Sequence, residues 1–350
     1  MIPTRIFESP LRVLLLFCAL ALMMTWPLCR HLTTHLPQGM DDVWQNLWNF
    51  WWWKTALVDL HQSPYHTRHL FFPAGTDVAF HTHSEINQLA ALPVTLLAGP
   101  VAAYNLATLA SFVLAGFGAY LLAREITGDA RAAVLAGLVF AFFPHHMEQT
   151  LDHLNLATIE FLPFVCLYLL RLVRRGGFAN ALKLGGALAL NALGSWHYAL
   201  MTVLFLPLLL VFELAGSGVP RRSAARGLMV AGAFAALVVA PFAWPMVHAL
   251  AHGANYARPF TSAMGVDPLF LFLPSNHHPV LGGLTARLYR MKRTYANSGF
   301  LAYVGFIPLI LAIAAWPSVR RDRRRLAWYL IAFSFLVLAL GAHPRINGTP

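Results

Sequence analysis

Charged residues are scarce in this chain. They make up 11% of its 350 residues, while 58% are hydrophobic, and an ordinary soluble domain has about a quarter of its residues charged. This shortage excludes a soluble globular protein and predicts an integral membrane protein. The net charge of +11 comes mainly from basic residues in short runs between apolar segments. It therefore indicates orientation in a bilayer, and we expect no nucleic-acid partner.

Cysteine and the common catalytic motifs are also missing. The three cysteines, Cys18, Cys29 and Cys166, form no CxxC pair, which excludes a disulfide framework and a thiolate metal site. The sequence has no phosphate-binding Gly-rich loop with Lys-Ser/Thr, no HExxH, no GxSxG and no dinucleotide-binding fingerprint. ATPase, zincin, serine-hydrolase and Rossmann functions therefore lack support.

Long apolar runs dominate the rest of the sequence. A transmembrane helix needs about 20 largely apolar residues, and we find nine candidate spans in one transmembrane domain, residues 1–350. The candidates are 11–29, 101–123, 130–144, 155–172, 180–194, 197–215, 227–249, 298–316 and 326–342. The apolar segment 88–99 is too short to cross, and we interpret it as re-entrant or interfacial. The expected fold class is all-α, a polytopic transmembrane helix bundle.

The distribution of basic residues predicts the topology. A cytoplasmic N-terminus places 16 of the 25 Lys and Arg residues in inside connections, as the positive-inside rule requires. The extracytoplasmic loops are then 30–100, 144–154 and 250–297. All 16 histidines fall on the predicted outer side or at the outer ends of spans, either as interfacial rings or lining a polar site. Long loops are uncommon unless functional, so we expect the function there.

The first outer loop contains Asp41 and Asp42, and a helical, tryptophan-rich segment follows them. The segment has a stripe with Trp44 and Trp51 and a polar stripe with Asn46 and Asn49, which is typical of an interfacial helix. One interpretation makes the acids an N-cap and a first-turn charge. The other makes one of them a general base facing a cleft, and the sequence favours Asp42, with Asp41 next.

Further polar residues follow in the first and second outer loops. His81, His83 and Glu85 alternate as on an extended strand, which makes a metal site one interpretation. Glu148, Asp152 and His153 lie in the second outer loop, where Glu148 and Asp152 share a face if the segment is helical. They would suit a divalent cation or a sugar, and a polar loop cap is the alternative.

Two more features fall outside these loops. The last long loop combines aromatic residues with basic residues. These basic residues are suited to a lipid phosphate or, alternatively, to anionic headgroups without catalysis. The candidate substrate-binding residues of this loop are Arg258, Arg287, Arg290, Lys292, Arg293, His277 and His278. Glu160 lies inside a predicted span, where an ionisable residue usually faces a partner or a cavity.

Three motifs resemble a known class. The segment 42–52, His153-Leu154-Asn155-Leu156 and Leu273-Pro274-Ser275-Asn276-His277-His278-Pro279 look like a family of largely uncharacterised bacterial membrane proteins regarded as GT-C-like. In GT-C glycosyltransferases, an acid in the first outer loop is the catalytic base, interfacial helices cover the site, and the donor sugar is linked to a lipid phosphate. Asp41 and Asp42 match that acid in position.

The resemblance implies an inverting transfer of a sugar from a polyprenyl-phosphate donor at the outer face of a bacterial plasma membrane. Basic residues of the last loop would hold the phosphate, and Glu85, Glu148 or Asp152 would assist with the acceptor or a divalent cation. One alternative is a transporter or lipid-carrier flippase that uses Glu160 and the outer histidines, and another is a non-catalytic assembly or scaffold protein. The chain ends soon after the ninth span, whereas such proteins usually continue, so a C-terminal truncation stays open. Metal dependence and oligomeric state also stay open.

Overall fold

The computed structural model describes residues 7–37, 42–253, 265–275, 278, 280–291 and 302–341, with the backbone alone for 288–291. These residues are mostly helical, which confirms the all-α expectation. The α-helices are α1 Pro10–Met24, α2 Val43–Lys54, α3 Glu85–Ala90, α4 Leu92–Thr127, α5 Ala130–Ala141, α6 Pro144–Asp152, α7 Leu154–Ala157, α8 Phe161–Arg175, α9 Phe178–Gly194, α10 Trp196–Ala215, α11 Arg221–Ala251, α12 Gly282–Met291, α13 Phe306–Ala315 and α14 Arg324–Ala339.

Shorter elements complete the description. Two strands of two residues each, β1 His66–Thr67 and β2 Thr76–Asp77, pair antiparallel within the first loop. A π-helical turn, Thr55–Asp59, extends α2. The 3₁₀ turns are Leu28–Arg30, Pro268–Leu271 and Trp316–Arg320.

Four helical stretches among the described residues are long and apolar enough to cross a membrane: Leu92–Thr127, Leu154–Arg175, Trp196–Ala215 and Arg221–Ala251. The second of these combines α7 and α8. A fifth candidate is the pair Ala130–Ala141 and Pro144–Asp152, bent by 43°. These helices are compatible with a multi-pass membrane protein. Each of the nine predicted spans overlaps a helix, but several of those helices are short, and α1 has only 15 residues, about 22 Å of helix. The number nine therefore stays a prediction.

The second outer segment folds as a helix and not as an irregular loop. Residues 144–152 form α6 and continue the direction of α5 after a bend. Pro144 starts this helix because its fixed φ suits the first helical turn. Segment 88–99, predicted to be too short to span, contains the end of α3 and the start of α4, which is broken at Gly99 before Pro100.

The connection from α4 to α5 follows from its sequence. Gly128 ends α4 with φ +72°, a left-handed conformation that glycine adopts without penalty. The next residue, Asp129, caps α5 by accepting hydrogen bonds from the backbone N–H groups of Arg131 and Ala132, which satisfies two free donors at the helix start. The two helices consequently run antiparallel and pack along each other.

Helix α4 is the centre of one half of the molecule and packs against α1, α2, α5 and α8. The ring of buried Phe17 on α1 enters the surface of α4 and α5 at Gly116 and Gly137. A methyl group at Gly116 would lie 2.4 Å from this ring, and one at Gly137 would lie 2.5 Å from it. Small residues thus permit the close approach of the three helices.

The other half contains α8, α9, α10, α11 and α14. Their shared core includes Leu169, Leu170, Leu184 and Leu209. Arg174 of α8 forms a bidentate ion pair with the buried Glu213 of α10, at 2.8 and 2.9 Å. This pair joins the C-terminal ends of α8 and α10.

Helix α2 packs into the protein through a face that the sequence did not predict. Asn46 and Asn49 are buried together with Phe50, although they belong to the predicted polar stripe. Trp44 and Trp51 are exposed at 57% and 37%, as expected for rings at a membrane boundary. The polar stripe turns inward because its amides bind backbone carbonyls of neighbouring segments.

Candidate functional site

An imidazole between two carboxylates joins the first two predicted outer segments. Asp42 directly precedes α2, Asp152 ends α6, and His153 connects α6 to α7. His153 Nε2 lies 3.1 Å from Asp42 Oδ2, and His153 Nδ1 makes a short hydrogen bond with Asp152 Oδ1. The side chains of Asp42, His153 and Asp152 are 45%, 22% and 10% exposed. The Asp42 carboxylate is therefore the accessible end of this cluster.

Asn46 fixes the two backbone segments that carry the cluster. Its side chain is buried, and Nδ2 donates to the carbonyl oxygen of Asp42 at 2.9 Å and to that of Asp152 at 3.2 Å. The first turn of α2 is thereby tied to the end of α6. Because buried amides cost free energy when unpaired, this contact holds the two acids at a defined separation.

The electrostatics of the cluster favour the charged imidazole. The hydrogen bond with Asp152 raises the pKa of His153 above its usual value, burial opposes this, and the nearby Asp42 adds to the increase. Both ring nitrogens face a carboxylate, and both donate only in the imidazolium form. Asp42 does not cap α2 with its side chain, so the capping interpretation is wrong for Asp42. Asp41 lies outside the described residues.

Glu85 lies in the protein interior, at the start of α3. It is 1% exposed, and its Oε1 accepts hydrogen bonds from Tyr65 Oη at 3.3 Å and from Trp196 Nε1 at 3.1 Å. Its Oε2 has no partner among the described residues. Burial raises the pKa of Glu85 to about 7, although its hydrogen bonds oppose the increase. This carboxyl group is thus covered and partly protonated at neutral pH.

His83 does not have a free nitrogen for a metal ion. It is buried; its Nδ1 accepts a hydrogen bond from Trp53 Nε1 at 3.2 Å and its Nε2 donates to the carbonyl oxygen of Val78 at 2.8 Å. Burial lowers the pKa of His83 to about 3, so the ring stays neutral. The metal interpretation of His81, His83 and Glu85 is therefore not supported. The described part of the chain contains no group of three or more His, Cys, Asp or Glu side chains that could hold a metal ion.

The remaining predicted site residues are only partly described. Glu148 is half-buried on α6, one turn before Asp152. Arg287 is exposed on α12, and His278 Nδ1 accepts the backbone N–H groups of Val280 and Leu281 at 3.2 and 3.0 Å. His278 therefore stabilises the turn before α12. The residues outside the described side chains are Arg258, His277, Arg290, Lys292 and Arg293.

A groove runs beside the cluster. Its volume is about 360 Å³, and it lies between the end of α1 with the segment that follows and helices α4 and α6. Most of its lining is apolar, with His31 and His35 as polar members, and Thr150 and Leu151 bring it to the end of α6 that carries Asp152. Its mostly apolar lining suits a hydrocarbon chain.

Sequence reasoning named Asp42, Asp152 and His153 but did not predict that they meet. It also missed Asn46 and Trp196 as partners of the acids. The spacing of Asn46, one helical turn after Asp42, is a local signal for the first contact. No local signal exists for Trp196 and Glu85, because distant parts of the chain bring them together.

Comparisons of the chain with protein-family models, with curated proteins and with solved structures found no match. The geometry of the cluster and of the groove is accordingly the basis of the functional argument.

Proposed function

We propose that this protein is a membrane glycosyltransferase that moves a sugar from a polyprenyl-phosphate donor to an acceptor hydroxyl at the outer face of a bacterial plasma membrane. In this proposal the N-terminus is cytoplasmic, the fold is GT-C-like with nine spans, and Asp42 is the general base. The observation that carries the proposal is the accessible Asp42 carboxylate, oriented by His153 at 3.1 Å.

The proposed reaction needs a carboxylate oxygen that can accept a proton, and Asp42 has one of its two oxygens engaged. Oδ2 of Asp42 faces His153, which leaves Oδ1 to accept the proton of the acceptor hydroxyl. The hydroxyl oxygen forms a bond to the anomeric carbon from the side opposite the phosphate. The bond between that carbon and the phosphate oxygen breaks, its electron pair leaves with the polyprenyl phosphate, and the configuration is inverted. General base catalysis of this kind contributes about 10²–10⁴-fold.

His153 and Asp152 act as positioning residues in this scheme. The imidazolium fixes the orientation of Asp42 through the contact between Nε2 and Oδ2. Asp152 in turn holds the imidazole from its other side. Asn46 keeps the backbones of both acids in place.

The groove beside α6 supports a lipid donor. A polyprenyl chain in this groove could place its phosphate near the Asp42 cluster, because Thr150 and Leu151, which line the groove, directly precede Asp152. In the proposal the phosphate is held by basic residues of the last outer loop, which are Arg258, Arg287, Arg290, Lys292 and Arg293. Glu148 remains a proposed contributor to acceptor binding, and His277 and His278 remain proposed substrate-binding residues of the last loop. Glu85 is not accessible to an acceptor in this structure, because Tyr65 and Trp196 cover it.

The direct test uses purified full-length protein in lipid vesicles with polyprenyl-phosphate sugars, and measures release of polyprenyl phosphate. Asp42→Asn should lower turnover by about 10²–10⁴-fold. Asp77→Asn is the matched control, because Asp77 is an exposed acid of the same loop that pairs with His66. Asp41→Asn decides the role of the neighbouring acid. Unchanged turnover in both Asp41→Asn and Asp42→Asn would exclude either acid as the base.

A transporter or flippase is the second candidate because of Glu160. This carboxyl group is 2% exposed at the start of a candidate span, and its Oε2 has no partner among the described residues. Buried ionisable groups within membranes often belong to transport pathways. Transbilayer movement of a labelled lipid that is lost in Glu160→Gln, but kept in Asp42→Asn, would favour this candidate over the transferase.

A further inference from the structure

The end of the bundle remote from Asp42 is strongly basic. Four stretches at this end, 124–131, 171–183, 213–226 and 320–325, contain fourteen Lys and Arg residues and four Asp and Glu residues. Helix α8 starts beside α7 and reaches this end after 15 residues, which is about 22 Å. The basic end and the Asp42 cluster therefore lie at opposite ends of the same helices.

The four acids of these stretches are all engaged. Asp129 accepts backbone hydrogen bonds at the start of α5, and the other three form ion pairs. The ion pairs are Arg171–Glu125, Arg175–Glu125, Arg174–Glu213 and Arg324–Asp322. Most of the guanidinium groups are consequently not neutralised by these acids.

A cavity of about 340 Å³ opens at this end, between the start of α1 and the ends of α4 and α8. Arg124, Arg171 and Arg175 line it together with Glu125 and the exposed Glu8. Glu125 is covered by Arg171 and Arg175. Arg124 donates to the carbonyl oxygen of Glu8 at 2.9 Å and to Tyr120 Oη, and it forms no ion pair with any described residue. We call this cavity the arginine pocket.

The arginine pocket offers unused donors to an anion. A guanidinium has five N–H groups, and the described contacts of Arg124 use one of its terminal nitrogens. The Arg175 side chain is 61% exposed. Arginine binds phosphate oxygens through paired hydrogen bonds, so the pocket matches a phosphate better than it matches a neutral group.

An apolar surface begins directly beside the pocket. Pro10 lines the pocket as the first residue of α1, and the next turns of α1 expose Leu11 at 64% and Leu15 at 58%. A ligand that lies along both surfaces carries a phosphate next to hydrocarbon chains. Basic pockets between transmembrane helices on the cytoplasmic side bind lipid headgroups in this way.

We propose that the arginine pocket binds the phosphate-bearing headgroup of an anionic membrane lipid whose acyl chains lie along α1. This lipid is distinct from a sugar donor, since the pocket is at the opposite end of α8 from the Asp42 cluster. The proposal does not depend on the transferase function.

The experiment measures lipid retention by the full-length chain in detergent with native mass spectrometry. Wild-type protein should retain phosphatidylglycerol in preference to phosphatidylcholine. Arg124→Gln and Arg175→Gln should each weaken retention of phosphatidylglycerol by about fivefold. Both variants keep Arg171 as the partner of buried Glu125. Arg222→Gln is the matched control, because Arg222 is an exposed arginine outside the pocket, and it should retain lipid as the wild type does.

Several results would overturn the proposal. Equal retention by wild type, Arg124→Gln and Arg175→Gln would exclude the pocket, and an equal loss in Arg222→Gln would indicate a diffuse charge effect. If the Gln variants do not give monodisperse protein, Arg124→Lys takes their place; it keeps the charge but not the paired donors, and unchanged retention would count against the site. Stabilisation of delipidated protein by inorganic phosphate, but not by phosphatidylglycerol, would assign the pocket to free phosphate.

Discussion

His153 Nε2 lies 3.1 Å from Asp42 Oδ2, and this contact joins the start of α2 to the end of α6. The imidazole could not keep this position alone, because a ring at the end of a helix has rotational freedom. Asp152 removes that freedom through Nδ1. The proton on Nε2 is consequently directed at Asp42, the more exposed acid of the cluster.

Asp152→Asn should reduce the pH dependence of stability. The pKa of His153 is raised in the folded state, mainly by Asp152. A raised histidine pKa contributes stability that is fully present below the unfolded pKa of about 6.5 and is lost as pH rises through the folded pKa. The melting temperature of wild-type protein should therefore fall as the pH rises above about 6.5, and that of Asp152→Asn should fall less.

The control for this experiment is His66→Asn. His66 also pairs with a carboxylate, Asp77 at 2.8 Å, but both side chains are more than half exposed, and exposed pairs contribute little. This variant should follow the wild-type profile. Identical profiles for wild type and Asp152→Asn would show that Asp152 does not hold the proton on His153.

Glu85→Gln should stabilise the protein at alkaline pH. The folded pKa of Glu85 is about 7, against an ordinary value of 4.5, so the ionised form is disfavoured in the fold. Stability is therefore full below pH 4.5 and is lost as pH rises through 7. Glutamine still offers Oε1 to Tyr65 and Trp196 but does not ionise. The gain at pH 8 should reach about 3 kcal/mol.

Thermal unfolding at pH 5 and pH 8 checks the Glu85 prediction. Asp59→Asn serves as the comparison, since Asp59 is an exposed acid paired with Lys54 on the same outer segment. If Glu85→Gln is as stable as wild type at both pH values, Glu85 ionises without a cost in folding free energy. Its surroundings would then be more polar than the packing indicates.

Gly116→Ala should destabilise the protein by about 1–3 kcal/mol, as expected for overpacking in a close-packed core. The added methyl group would lie 2.4 Å from the ring of Phe17, and nothing lies within 4 Å of the corresponding position at Gly232 on α11. Gly232→Ala is therefore the control and should be neutral or stabilising by up to about 1 kcal/mol. Combining Gly116→Ala with Phe17→Leu should recover part of the loss. Additive effects in this double mutant would contradict the contact.

The sequence predicted the helical architecture well, because apolar runs and their boundaries are local properties. Gly128 and Asp129, for example, end one helix and start the next by rules that act over a few residues. The face of α2 was predicted less well. Asn46 and Asn49 look like a solvent stripe in sequence, and only their contacts with the carbonyl oxygens of Asp152 and Thr82 explain their burial.

The candidate site was predicted in parts. Asp42, Asp152 and His153 were each chosen for their chemistry in outer segments, whereas their distances depend on how α2 packs against α6 and α4. Long-range packing of this kind leaves no periodic signal. The same holds for Glu85. The sequence places this residue in an outer loop, but Tyr65 and Trp196 cover it and leave it 1% exposed.

Arg174→Ala should destabilise the protein by about 3–5 kcal/mol, because it removes the hydrogen-bonded partner of the buried charge on Glu213. Glu213 is 1% exposed and accepts both hydrogen bonds from Arg174. Arg324→Ala removes the partially exposed pair with Asp322 and should change stability by less than about 1 kcal/mol.

The double variant Arg174→Leu/Glu213→Leu distinguishes the cost of an unpaired charge from the value of the pair. If burial of the charge is the cause, the double variant should be more stable than Arg174→Ala in thermal unfolding. A double variant as unstable as the single one would instead assign the loss to packing around the stem of Arg174.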